Sequence, residues 1–138
     1  MNYILIVSAF ITLVSWLTHS LYGDYALRRL NPRGASWRDD EPAYHSWIMA
    51  RAGWHAWGVD LLATGIVQLL IVFSTVVPHP RLVLQVFAGY FASYCLFFLL
   101  TMLISGAPAR LYFRLGQWIL MLLISCLLVW ASFSYPVV

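Results

Sequence analysis

Four long apolar runs dominate the chain, separated by short stretches where prolines, arginines and other polar residues gather. The runs extend roughly from Tyr3 to Tyr22, Trp54 to Val77, Leu82 to Ser105 and Leu115 to Phe133. A helix needs about 20 apolar residues to cross a hydrocarbon core about 30 Å thick, and each run comes close to that. None of them shows the strict alternation of a barrel strand, and a helix satisfies its backbone groups within one segment. The pattern predicts an all-α fold: an integral membrane four-helix bundle forming one membrane domain over residues 1–138, with a loop over 23–51.

The joints carry their own signals. Val77-Pro78-His79-Pro80-Arg81 cannot continue a helix, because each proline lacks a donor and clashes with the preceding turn. Ser105-Gly106-Ala107-Pro108 reads as a helix end, with a glycine suited to the left-handed cap and a proline beyond it. Within the 23–51 loop, Arg38-Asp39-Asp40-Glu41-Pro42 is a helix-start signal, since acidic residues and an early proline suit a free helix N-terminus. From Ala43 to Arg51, aromatic and apolar residues interleave with His45 and Ser46. This predicts a short interfacial helix before the second span, or an inward extension of that span.

Composition agrees with the pattern. Hydrophobic residues make up 62% of the chain and charged residues 9%, against about 25% charged in an ordinary soluble domain. This excludes soluble enzymes, secreted disulfide scaffolds and free nucleic-acid binders. The first run lacks a basic leader and a small-residue cleavage pattern, so it is expected to remain as a span. Cys95 and Cys126 both lie inside apolar runs and say nothing of redox compartment.

Charge sets the expected orientation. All eight basic residues are arginine. Arg28, Arg29, Arg33, Arg38 and Arg51 lie between the first two spans, and Arg110 and Arg114 between the last two. Only Arg81 lies on the other side. The arginine-rich side is therefore expected in the cytoplasm of a bacterial inner membrane, with both termini on the non-cytoplasmic side. Trp37, Trp47, Trp54, Trp57, Tyr112 and Trp118 read as the aromatic belt of that side, and Tyr3, Trp130 and Tyr135 as the outer one.

Polar residues within spans point inward, because lipid cannot solvate them. Ser8, Thr12, Ser15, His19 and Tyr22 share one face if the first span is a regular helix, and Asp60, Thr64 and Gln68 share a face of the second. Asp60 is the only acid inside a span. An aspartate at a helix centre costs about 2.5–3.5 kcal/mol on insertion scales, so it calls for a partner: His19, His55, Arg51 or Arg114. On the third span, Ala88-x-x-x-Ala92 and Gly89-x-x-x-Ser93 allow close helix approach.

No phosphate loop, zinc-protease motif or nucleophile elbow is present in the sequence, so no catalytic residue is assigned. The leading expectation is a non-catalytic accessory or structural subunit, partnered by membrane lipids and by itself or another membrane subunit, and not by nucleic acid. The alternative is an oligomeric proton, cation or small-solute transporter or channel around Asp60. A further alternative is a haem-binding electron-transfer subunit that would use His19 and His55. No cofactor is otherwise expected, and no metal. The candidate ligand- or proton-binding residues are His19, Asp24, Arg51, His55, Asp60, Thr64 and Gln68.

Overall fold

The computed structural model describes residues 2–32, 41–114 and 116–136. The stretch 33–40, with Arg33, Trp37, Arg38 and the acids of the helix-start signal at Asp39 and Asp40, lies outside the described residues, as does the side chain of Arg114. The chain is helical, with no strand among the described residues. Helix α1 runs Tyr3–Thr18, a π-helical turn follows at His19–Gly23, and α2 runs Asp24–Arg29. Then come α3 (Glu41–Phe73), α4 (Pro80–Ile104), α5 (Ala109–Arg114) and α6 (Gln117–Ser132).

Three helical stretches are long and apolar enough to cross a membrane: Tyr3–Arg29, Pro42–Phe73 and Pro80–Ile104. They suggest a membrane protein. The fourth, Gln117–Ser132, has 16 residues. At about 1.5 Å per residue it reaches about 24 Å, short of a full hydrocarbon core.

The helix boundaries differ from those the apolar runs predict. The first helical stretch continues past Tyr22 to Arg29, and α3 begins at Glu41 rather than Trp54. Much of the expected 23–51 loop is therefore helix. The segment expected as a short interfacial helix is the first part of α3. Apolar content marks where a helix enters lipid, not where its hydrogen bonds stop, and Pro42 at the head of α3 costs the helix nothing. At the far end, α3 stops at Phe73 rather than Val77, with Ser74 Oγ donating to Leu70 O at 2.7 Å.

The chain divides into two compact units. One comprises Phe10–Gly65. In it the α1–α2 stretch packs antiparallel to α3: Leu27 meets Trp47, Asp24 meets Arg51 and His19 meets Trp54.

The other unit comprises Met1–Ala9 and Ile66–Val138. Its core is the antiparallel pair α4 and α6. Leu84, Ala88, Phe91 and Cys95 of α4 are buried, as are Met121, Ile124, Leu128 and Ala131 of α6. The small side chain of Ala88 lets the helices close in, and Ser125 Oγ donates to Ala88 O at 2.8 Å. Asn2 caps α1 by accepting from Leu5 N at 3.2 Å, and its amide donates to Ala131 O at 3.1 Å. Burial pushes the Tyr135 phenol up, and its bond to Asn2 opposes that shift.

Both expected turns appear in this unit. His79 adopts a left-handed backbone (φ 50°) just before Pro80 opens α4. At the other end Gly106 (φ 63°) donates to Leu103 O, and Ala107 donates to Met102 O, which together close a Schellman cap.

Candidate functional site

The polar side chains of the 10–65 unit converge where α2 begins. Asp24 is the hub, its side chain only 9% exposed. On its own helix, Arg28 one turn later donates Nε to Oδ2 at 2.6 Å and places Nη2 at the same distance. From α3, Arg51 donates Nε to Oδ1 at 2.9 Å, and His55 brings Nε2 to Oδ1 at 3.2 Å. Arg28 with Asp24, and Arg51 with His55, are each four residues apart, the spacing that stacks side chains on one helix face. Arg51 also lies over the Trp47 ring at 5.6 Å, and Trp47 donates its indole N–H to Leu27 O at 2.9 Å.

One turn deeper, His19 and Trp54 form a reciprocal pair. Their rings stack at 3.9 Å with an interplanar angle of 13°. The imidazole Nε2 donates to Trp54 O at 2.7 Å, and the indole donates to His19 O at 3.1 Å. A carbonyl can only accept, so Nε2 carries the proton. Trp57 meets the imidazole edge-on at 4.6 Å.

The π turn brings these two layers together. In a π turn the repeat lengthens to i→i+5, so positions five apart come close to one face, whereas in an α-helix they diverge. His19 and Asp24 are five apart, and both are buried. The same turn corrects the stripe read from a regular helix. Ser8, Thr12 and His19 are buried as expected, but Tyr22 is 72% exposed, displaced from the inward face by the extra residue. Gly23 takes the inward place instead, directly against the Trp54 indole, where any Cβ would overlap the ring.

Of the groups proposed for Asp60, Arg51 and His55 bind Asp24, and His19 binds the Trp54 carbonyl. Asp24 lies closer to the emerging end of its helix, within reach of Arg51 and His55 on α3. Asp60 itself is half-buried, with Thr64 below it fully enclosed. Gln68, also fully enclosed, falls in the other unit.

The Nε2 atoms of His19 and His55 are engaged by the Trp54 carbonyl and by Asp24, respectively. Among the described residues, no group of three or more His, Cys, Asp or Glu is arranged to hold a metal ion.

Three contributors escaped the sequence reading. Arg28 was grouped with the orienting arginines, although its four-residue spacing from Asp24 is visible in the sequence. Trp54 reads in the sequence only as an aromatic-belt residue, and its ring packs on His19. Gly23 carries no local signal, because its role depends on the indole opposite. On α4, Gln85, Gly89 and Ser93 occupy an exposed face, with Ser93 Oγ donating back to Gly89 O at 2.9 Å, whereas Ala88 is buried. No protein family, curated protein or solved structure matches the chain.

Proposed function

We propose that the protein is a small accessory or structural subunit of a bacterial inner-membrane complex, acting by association rather than by catalysis. In this reading four segments cross the bilayer as a four-helix bundle. The arginine-rich connections face the cytoplasm and both termini lie outside. Gln117–Ser132 crosses with its flanking residues or with local thinning of the bilayer. The single observation that carries the reading is the engagement of the ionisable side chains around α2. Arg28 closes on Asp24 within α2, while Arg51 and His55 of α3 close on Asp24 and His19 closes on Trp54, so the contacts from α3 hold helices of this chain to each other. The chain's outward faces remain apolar, with Leu82, Val86, Leu96, Phe97 and Leu103 exposed on α4. Those faces suit lipid or another membrane helix.

Native mass spectrometry of protein gently extracted from its own membrane tests the proposal. The expected result is a second membrane protein, or further copies of this chain, at fixed stoichiometry. A stable lone monomer would overturn it.

A second reading has one specific observation in its favour: the half-buried Asp60 lies over the enclosed hydroxyl of Thr64 on α3. In that reading an oligomer conducts protons, cations or small solutes past Asp60. Reconstituted liposomes should then show flux that Asp60→Asn abolishes, and wild-type liposomes without flux would dispose of it.

A further inference from the structure

The geometry points to the Asp24-centred cluster as a binding site for the phosphate of an anionic phospholipid. The inference rests on the membrane reading above and names the lipid chemistry that one part of the protein recognises.

Depth is the first argument. Asp24 follows Tyr3 by 21 residues, and Arg51 precedes Phe73 by 22. At about 1.5 Å per residue these distances are about 31 and 33 Å, one hydrocarbon thickness in each case. Two helices entering from the same face would thus both deliver the cluster to the opposite headgroup layer, and the contact between Asp24 and Arg51 puts them at one level.

Charge is the second. One carboxylate faces the guanidinium groups of Arg28 and Arg51. Two permanent positive charges therefore face a single negative one, an excess of one. Asp24 does not cancel the site. It takes only Nε of Arg51, which leaves the two Nη groups of that fork without a bond to any described residue. An arginine fork is the side chain best matched to two phosphate oxygens. Trp47 supports the fork from below. Arg28 is 68% exposed and can reach the same oxygens.

Surroundings are the third. Leu21, Tyr22 and Tyr25, on the π turn and α2, are large exposed apolar or aromatic side chains. An acyl chain can lie along them while its phosphate meets the arginines. A free phosphate ion would use the cationic half of this arrangement alone, so the apolar half favours a lipid.

The test uses the full chain in nanodiscs of phosphatidylcholine containing a minor fraction of phosphatidylglycerol. Lipid retained on the released protein is identified by native mass spectrometry. Phosphatidylglycerol should be retained in preference to phosphatidylcholine. Arg51→Gln should lower that preference about fivefold, the effect of one arginine near an anionic surface. Arg28→Gln alters a side chain that is 68% exposed, and it should act in the same direction. Arg110→Gln, a cytoplasmic-side arginine of α5, should leave the preference intact. Equal loss in Arg110→Gln, or none in the Arg28→Gln/Arg51→Gln double variant, overturns the proposal. Displacement of the lipid by millimolar inorganic phosphate overturns the lipid assignment in favour of a free anion. Failure of the wild-type chain to enter nanodiscs removes the membrane reading itself. Entry without selectivity removes this inference alone.

Discussion

The two units of the molecule join their helices by different chemistry. In the 10–65 unit, polar and aromatic groups meet through specific, directional contacts. Asp24 takes two arginines and a histidine, and His19 and Trp54 exchange hydrogen bonds while their rings stack. In the other unit, α4 and α6 meet through leucines, alanines, isoleucine and phenylalanine, with a hydrogen bond from Ser125 to Ala88 between them. Apolar packing tolerates small rotations of one helix on another. Directional bonds do not, and a stacked ring least of all. The first unit is therefore the one whose geometry is tightly specified, and it is also the one that carries the candidate site.

The largest effect should come from filling the space at Gly23. A side chain there must expel the Trp54 indole, which removes the stack on His19 and the indole's hydrogen bond to His19 O in one step. Gly23→Val should cost about 3 kcal/mol or more, at the upper end of overpacking penalties. Denaturation in mixed micelles, followed by tryptophan fluorescence, measures it. A loss under about 1 kcal/mol would mean that the indole has another low-energy position, and that the first unit is no more specified than the second.

The matched change in the apolar unit is Ala88→Leu. It pushes a branched side chain between α4 and α6 where Ala88 is buried. Here the helices can shift along each other, so about 1–3 kcal/mol is expected, less than at Gly23. If Ala88→Leu proves the more damaging of the two, the contrast between the units is reversed.

Asp24→Asn probes the ionic contacts apart from shape. The amide keeps the volume and one acceptor but removes the charge. Arg28 is 68% exposed, His55 50% and Arg51 32%, so all three side chains regain solvent or headgroup contact when the carboxylate is lost. Exposed ion pairs are strongly screened. Asp24→Asn should therefore lower the unfolding midpoint by less than Gly23→Val does, while shifting the lipid preference measurably. A midpoint loss equal to that of Gly23→Val would make the carboxylate, not the indole, the main fastening of this unit.

How much of this was legible beforehand follows from the same contrast. Helices packed by apolar runs announce themselves, so α4 was placed to within two residues at its start and one at its end. The turn residues Pro80 and Gly106 were equally readable, because proline and glycine act through local backbone sterics. Asp24, Arg51, His55 and His19 were recognised as candidates, yet their pairing was not. Residue type shows that a buried charge needs a partner. Which partner depends on helix rotation, and one extra residue in the π turn shifts every later position by about 100°. Tyr22 was assigned inward for that reason alone. The burial of Thr64 and Gln68 was foreseen, since nothing irregular intervenes along α3.

The smallest effect should come from Ser125→Ala, the sharpest test of how the second unit is held. Ser125 Oγ donates to a backbone carbonyl that lies within α4, where that oxygen can also accept its own helical N–H. A carbonyl has two lone pairs, so removing the hydroxyl leaves no orphaned group behind. Alanine also fits the space and slightly favours the helix. Hydrogen bonds between helices in a membrane average about 0.6 kcal/mol, and the loss should be of that size. A loss above about 1.5 kcal/mol, close to the largest values for such bonds, would show that α4 and α6 depend on this one directional contact. The apolar unit would then be fastened in the manner of its neighbour, by a specific bond with packing arranged around it.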